Sequence, residues 1–184
     1  MKSLFSFFSI SLIFLLIIFP NIGIAQSTKQ DSLWMPFKPF IGTWTGKGGG
    51  EPGIGNYERS YEFIFNKRFI EIKNKSTYPA TDKNPKGEVH EDIGYFSYDK
   101  ARRTYILRQF HIEGFVNQYT LDSISSDGKN ITFITESIEN IPPGWRAKET
   151  YHLISDDQIQ EIFELAAPGK PFEPYTSVLL NRVK

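Results

Sequence analysis

The chemistry open to this chain is set by its side-chain inventory. Its imidazoles are three, His90, His111 and His152, and it has no cysteine. Thiolate nucleophiles, thiolate metal sites, disulfides and lipid attachment through cysteine are thereby excluded. Glu91 and Asp92 adjoin, but neighbours along a strand point to opposite faces, so they do not make a paired acid and base. By the same alternation His90 shares a face with Asp92, Gly94 and Phe96, and Gly94 leaves room beside the ring. His90 therefore has two readings: a hydrogen-bond donor to a ligand, or a strand histidine without one. His111 stands where Glu113-Gly114 reads as a turn into the next strand. A histidine there is first a solvated or capping residue and only second a residue lining a site. His152 alternates with Thr150 and Lys148 and reads as facing solvent.

Other patterns carry less. Gly46-Lys47-Gly48-Gly49-Gly50 lacks the Ser or Thr and the following helix of a phosphate loop. Those glycines read as a strand that bends sharply. No Gly-x-Ser-x-Gly elbow occurs, so a hydrolase of that type has no support. Asn74-Lys75-Ser76 and Asn130-Ile131-Thr132 are glycosylation sequons, which have meaning only in a eukaryotic secretory pathway.

Charge and length narrow the class. Lys plus Arg and Asp plus Glu are both 21, so the chain lacks the basic surplus a nucleic-acid binder uses against phosphates. Residues 1–25 differ from the rest: Lys2 is their one charge, Leu4–Phe19 is apolar apart from three serines, and Gly23-Ile24-Ala25 puts small residues where a signal peptidase reads. The apolar run of about 16 residues is shorter than the roughly 20 of a membrane-spanning helix. We read a signal peptide cleaved after Ala25, a polar, flexible lead over 26–32 and a domain over 33–184. The product is exported, periplasmic or secreted, with no stable membrane insertion after cleavage. About 159 residues remain, enough to hold a domain together by its core alone. Five of the 16 phenylalanines fall within the signal.

The domain consists of short segments rich in Tyr, Phe, Ile, Val and Thr between turn sequences. Candidate strands are Ile41–Gly49, Tyr57–Asn66, Arg68–Tyr78, Val89–Tyr98, Thr104–His111, Gly114–Asp122, Ile131–Ile138, Arg146–Ile154, Gln158–Leu165 and Tyr175–Val183. Asn66-Lys67, Asp99–Arg102, Ser126–Lys129, Pro142–Gly144, Ser155–Asp157 and Pro168–Pro171 supply the turns. Leu33–Phe40, interrupted by Pro36 and Pro39, reads as one helical turn or a plug on the core. Short connections favour an antiparallel meander, and closure removes its two edges. The predicted fold is all-β: a roughly ten-stranded antiparallel up-and-down barrel, wide enough to hold a small molecule, with a two-sheet sandwich as the alternative. Tyr57, Arg59, Tyr61, Phe63 and Phe65 share one strand face, and Phe115, Asn117, Tyr119 and Leu121 another. Faces that mix aromatic and polar groups suit a ligand cavity. Trp44 is placed at the barrel floor.

Three segments carry a family resemblance. Phe40-Ile41-Gly42-Thr43-Trp44-Thr45-Gly46-Lys47-Gly48, followed by Glu51-Pro52, resembles the opening strand of the nitrobindin family of haem-binding, calycin-like barrels. His90-Glu91-Asp92-Ile93-Gly94-Tyr95-Phe96 resembles that family's histidine four residues before a Gly-Tyr-Phe, over the distal side of the haem. Pro174-Tyr175-Thr176-Ser177-Val178-Leu179-Leu180-Asn181-Arg182 resembles its closing strand. The resemblance spans nearly all of residues 33–184. It implies a fatty-acid-binding-protein-like barrel and haem as a possible cofactor, with Tyr175, His90, Thr43 and His111 as cofactor-binding candidates. It also marks a departure, because the family's iron-ligating histidine is here Tyr175. A phenolate can ligate ferric iron, as in catalases, which would disfavour ferrous NO or O₂ chemistry. The other reading of Tyr175 is a cavity-lining tyrosine with its hydroxyl hydrogen-bonded and no metal. Two functions follow: a module binding a small apolar or planar ligand, haem first among them, or a haem-dependent enzyme acting on reactive nitrogen or oxygen species, such as a peroxynitrite isomerase. A barrel filled by its own aromatics is the third.

Overall fold

The computed structural model describes residues 30–82 and 84–184. The expected signal peptide and residues 26–29 of the lead lie outside them. Two compact units are distinguished, Met1–Met35 and Pro36–Lys184. In the first, residues 30–33 form a helical turn.

The second unit holds ten antiparallel strands: β1 (Gly42–Gly50), β2 (Gly55–Ile64), β3 (Phe69–Tyr78), β4 (Glu88–Asp99), β5 (Thr104–His111), β6 (Val116–Ile124), β7 (Asn130–Glu139), β8 (Arg146–Ser155), β9 (Gln158–Ala166) and β10 (Glu173–Arg182). Each pairs with its neighbours in sequence, and β1 pairs with β10, so the sheet closes and no edge is left. The barrel stands and the sandwich alternative falls. The strands follow the period-two pattern: Tyr57, Arg59 and Tyr61 are buried and face inward, as are Ile70, Ile72, Asn74 and Ser76 on β3.

The closing seam depends on glycine. A Cβ on Gly46 would collide with the Leu179 carbonyl oxygen of β10, whereas one on Gly49 would meet nothing nearer than 3.7 Å. The glycine-rich segment is thus a backbone approach between two strands. The β2–β3 hairpin is longer than Asn66-Lys67 alone. Ile64 pairs with Phe69, and Phe65, Asn66 and Lys67 all adopt positive φ, near 48°, 55° and 59°. Phe65 is therefore in the turn and 73% exposed, and does not continue the inward face of β2.

One end of the barrel is plugged. A 3₁₀ helix, Met35–Phe40, presents Phe37 and Phe40, both fully buried. The Phe37 ring lies 4.7 Å from Phe96 and 4.8 Å from Tyr105; Phe40 lies 5.2 Å from Tyr151 and 5.5 Å from Tyr61. Burying each phenylalanine stabilises the fold by about 2–3 kcal/mol. Trp44 is fully buried at the same end, as expected. Its Nε1–H donates to the Phe40 carbonyl oxygen at 2.7 Å, and the Arg182 guanidinium lies 4.1 Å from its ring centroid. The helix, β1 and β10 are thereby fastened together.

Candidate functional site

The opposite end, where β2, β4, β6, β8 and β10 begin, is open and holds a cavity of about 620 Å³. That size lies within the usual range for small-ligand sites. Tyr57, Phe115, Trp145, Phe163 and Tyr175 supply aromatic wall, with Ile138, Ile141 and Leu165 beside them. The polar lining includes His90, Asp92, Gln109, His111, Asn117, Arg59, Glu149 and Glu161.

The depth of the cavity is charged but internally matched. Arg59 donates to Glu161 from Nη2 at 2.7 Å and from Nε at 3.2 Å, and Nη1 donates to the Glu58 and Lys75 carbonyl oxygens. Burial works against its charge, but Glu161 holds the guanidinium above its ordinary pKa. The guanidinium fork is thus taken, and Arg59 is not available as an anion clamp. Glu149 is 4% exposed; burial, then the nearby Glu161 charge, pushes its carboxyl well above the carboxylate range, so it is held protonated. Burial also raises Tyr61, Tyr119 and Tyr151, which remain neutral phenols.

The two strand-end histidines meet on the β4–β5 side. Asp92 pairs with His111 in register, and His90 precedes Asp92 by two residues on the same face. His111 Nδ1 is 3.3 Å from His90 Nε2, and His90 Nδ1 is 2.7 Å from a Glu113 carboxylate oxygen. His111 Nε2 is 3.2 Å from the Asn117 amide nitrogen. One orientation satisfies every link: Asn117 donates to His111, His111 to His90, and His90 to Glu113. A tight turn makes this possible. Gly114, at φ 87°, lets Gly114 N–H donate to the His111 carbonyl, which stacks the His111 ring on Phe115 at 4.0 Å. Burial and then the His90 charge bring His111 down to about 4, so its imidazole is neutral at neutral pH. Asp92, 7% exposed, is pushed up by burial to about 6 against the lowering pull of Arg59, an Asn74 hydrogen bond and His90. His111 is thus no solvated cap but part of the cavity wall.

Tyr175 also lines the cavity. It is the extra residue at a β-bulge, where the β10–β9 register shifts between Pro174 and Thr176. Its ring packs edge-on against Phe163 at 5.8 Å. Burial raises its hydroxyl pKa, and Tyr78, Glu88, Glu51 and Glu113 raise it further. No cation among these neighbours favours a phenolate; ionisation at neutral pH would need a metal ion at the oxygen itself. In the strand order β10 is four strands from β4 on one side and six on the other, so Tyr175 and His90 stand on nearly opposite sectors of the mouth.

Thr43 is not brought to this cavity. It is exposed on the outer face of β1, opposite in direction to Trp44, in a surface depression with Glu58, Ser60 and Lys73. Strand alternation makes that unavoidable, since buried Trp44 takes the inward direction. His152 also faces outward, with its Nδ1 2.6 Å from Asn130 Oδ1. The sequence reading missed Asn74, Glu149 and Glu161. Their signal was available: each is a polar residue at an inward position that follows a buried apolar one two residues earlier, Ile72 before Asn74, Ala147 before Glu149 and Ile159 before Glu161.

A planar, largely apolar ligand with iron at its centre fits the residues present. The walls are aromatic, neutral imidazole lies on one sector and a phenol on the other. The buried Asn74 Oδ1 and Asn117 Oδ1 have no hydrogen-bond partner among the described residues. Buried orphan acceptors within a cavity are what a bound ligand or ordered water would complete.

The solved structure of Rv2717c from M. tuberculosis is similar in fold, with a TM-score of 0.59 at 20% identity over 82% of this chain and 97% of that one. The S-type phycobiliprotein lyase CPES from Guillardia theta is a more distant match, with a TM-score of 0.47 at 12% identity over 90% of this chain and 99% of that one. The sequence model of the THAP4-like, heme-binding beta-barrel domain matches residues 34–182, which covers the whole barrel, and the chain belongs to that family.

Proposed function

We propose that this chain is an exported binding module that holds a small planar, apolar ligand in the mouth of its barrel, with haem as the leading ligand. The observation that carries this reading is the open cavity of about 620 Å³, aromatic on its walls and charge-matched in its depth. Aromatic walls recognise a flat ring by area and stacking. The Arg59–Glu161 pair and protonated Glu149 form a fixed polar base that carries little net charge. Family membership supports haem over other flat ligands. The export part rests on the features of residues 1–25 described above.

Bound haem would supply a Lewis-acidic iron and a hydrophobic ring. On the side of the chain, Tyr175 is the oxygen donor proposed for that iron, and the His90–His111 pair faces the cavity from the other sector. Because its surroundings raise the Tyr175 pKa, ligation must release the hydroxyl proton. Affinity for ferric haem therefore rises with pH from neutrality upward. A binding module is favoured over a peroxynitrite isomerase because a phenolate donor stabilises ferric iron.

The test is a titration with hemin, followed at the Soret band, for wild type and Tyr175→Phe. Saturable binding with a different band position in Tyr175→Phe supports both haem and the tyrosine donor. An identical band in the variant removes the donor and keeps haem. Absence of saturable binding overturns the haem reading.

A further inference from the structure

The β4–β5 wall gathers two imidazoles and a carboxylate. His90 Nε2, His111 Nδ1 and a carboxylate oxygen of Asp92 all lie within 4.8 Å of one another. The two nitrogens are 3.3 Å apart, and His90 Nε2 is 3.8 Å from Asp92 Oδ2. Ligands on a tetrahedral zinc ion, with bonds of about 2.0–2.1 Å, stand about 3.4 Å from each other. Small side-chain shifts therefore bring the three atoms onto one ion.

The atoms behind them are also arranged for a cation. His90 Nδ1 is held by the Glu113 carboxylate at 2.7 Å, which keeps the ring proton there and leaves the Nε2 lone pair toward the cluster. Asp92 Oδ1 accepts from Asn74 Nδ2 at 2.8 Å, which fixes the carboxylate and leaves Oδ2 for another partner. Asn117 can adapt to an ion at His111. It is 2% exposed and its Oδ1 has no hydrogen-bond partner among the described residues. A cation on His111 Nδ1 would place that ring's proton on Nε2, 3.2 Å from the Asn117 amide. Turning the amide over puts its oxygen in that place, where it accepts that proton and the proton of the Tyr119 hydroxyl, 2.9 Å away, so the link to His111 survives binding of the ion.

We propose that His90, Asp92 and His111 form a binding site for a divalent first-row transition-metal ion, with zinc as the fitting case. Two imidazoles and one carboxylate suit zinc and its neighbours, not the all-oxygen shells of calcium or magnesium. All three ligands line the mouth cavity, so a further coordination position faces it, open to water or to a donor atom of a cavity ligand. The proposal does not rest on haem, and its test contains none.

Metal-free protein is titrated with Co²⁺, followed by visible d–d absorption, and with Zn²⁺ in competition with a chromogenic chelator. One ion per chain is expected, with Zn²⁺ displacing Co²⁺. His90→Ala and His111→Ala should each abolish the Co²⁺ spectrum. Glu113→Gln, which keeps all three ligands, should weaken Zn²⁺ about 10- to 100-fold. His152→Ala, on the outer face, should leave affinity unchanged, and the circular dichroism of each variant checks that it is folded. The proposal is overturned if no saturable binding occurs, if folded His90→Ala or His111→Ala binds like wild type, or if His152→Ala loses the ion as they do.

Discussion

Asp92 and His111 titrate in opposite senses, and the consequence can be measured. Asp92 has a folded pKa raised from 3.8 to about 6, so its contribution is fully present below pH 3.8 and is lost as pH rises through about 6. His111 has a folded pKa lowered from 6.5 to about 4, so its contribution is present above pH 6.5 and is lost as pH falls through about 4. Between pH 4 and 6 the two slopes oppose each other. Buried Glu149, whose folded pKa is raised as well, adds a further slope that falls as pH rises above its ordinary value of 4.5. Asp92→Asn removes its own falling slope, so in urea unfolding the stability of the variant minus that of the wild type should rise by about 3 kcal/mol from pH 4 to 6. A variant with the wild-type profile would refute the pairing of these two groups. The buried ion pair gives a second prediction. Glu161→Gln leaves the Arg59 charge buried without its partner and should cost about 3–5 kcal/mol, whereas Arg59→Met with Glu161→Leu should recover most of that loss. Residues of this kind divide by how far the sequence shows them. Inward alternation exposes Arg59 on β2, but its partner lies 102 positions away, and only closure of the barrel brings the two together. The strand-end position of His111 suggests solvent, and only the Gly114 turn reverses that by laying the ring on Phe115.

The strands are the most legible elements, because alternation and turn chemistry agree along most of the chain. Thr104–His111 is observed with the boundaries the sequence gives, and Arg146–Ile154 differs by one residue. The least legible features depend on partners distant in sequence. The glycines of β1 look like a bend, but their reason is the close passage of β10. Gly46→Ala should therefore destabilise the barrel by about 1–3 kcal/mol in urea unfolding, while Gly49→Ala, which has space, should change it little. Equal effects would dissociate the glycines from the seam. The plug makes a parallel case. Phe40→Ala opens a void among Tyr61, Phe96 and Tyr151 and should cost about 3–5 kcal/mol. Since the plug and the cavity occupy opposite ends, that loss should leave ligand affinity nearly unchanged while the variant stays folded.

At the scale of the molecule, closure settles the architecture and the plug settles polarity, with one end filled by aromatics and the other free to bind. The signal-peptide reading predicts that protein recovered after export begins at Gln26, which intact mass determines. The mouth cavity is the proposed seat of haem. Ser76 tests it directly: it is 4% exposed, faces the cavity and pairs with Tyr57 on one side and His90 on the other. A tryptophan there takes up space a planar ligand would occupy and stands on β3, three strands from the proposed iron donor Tyr175 on β10. The decisive measurement is a hemin titration of wild type and Ser76→Trp, with folding of both checked by circular dichroism. One haem per wild-type chain with a sharp Soret band is expected, with a loss of at least tenfold in affinity for folded Ser76→Trp. Equal binding by the two proteins, or no saturable binding by the wild type, would contradict haem binding in the mouth cavity.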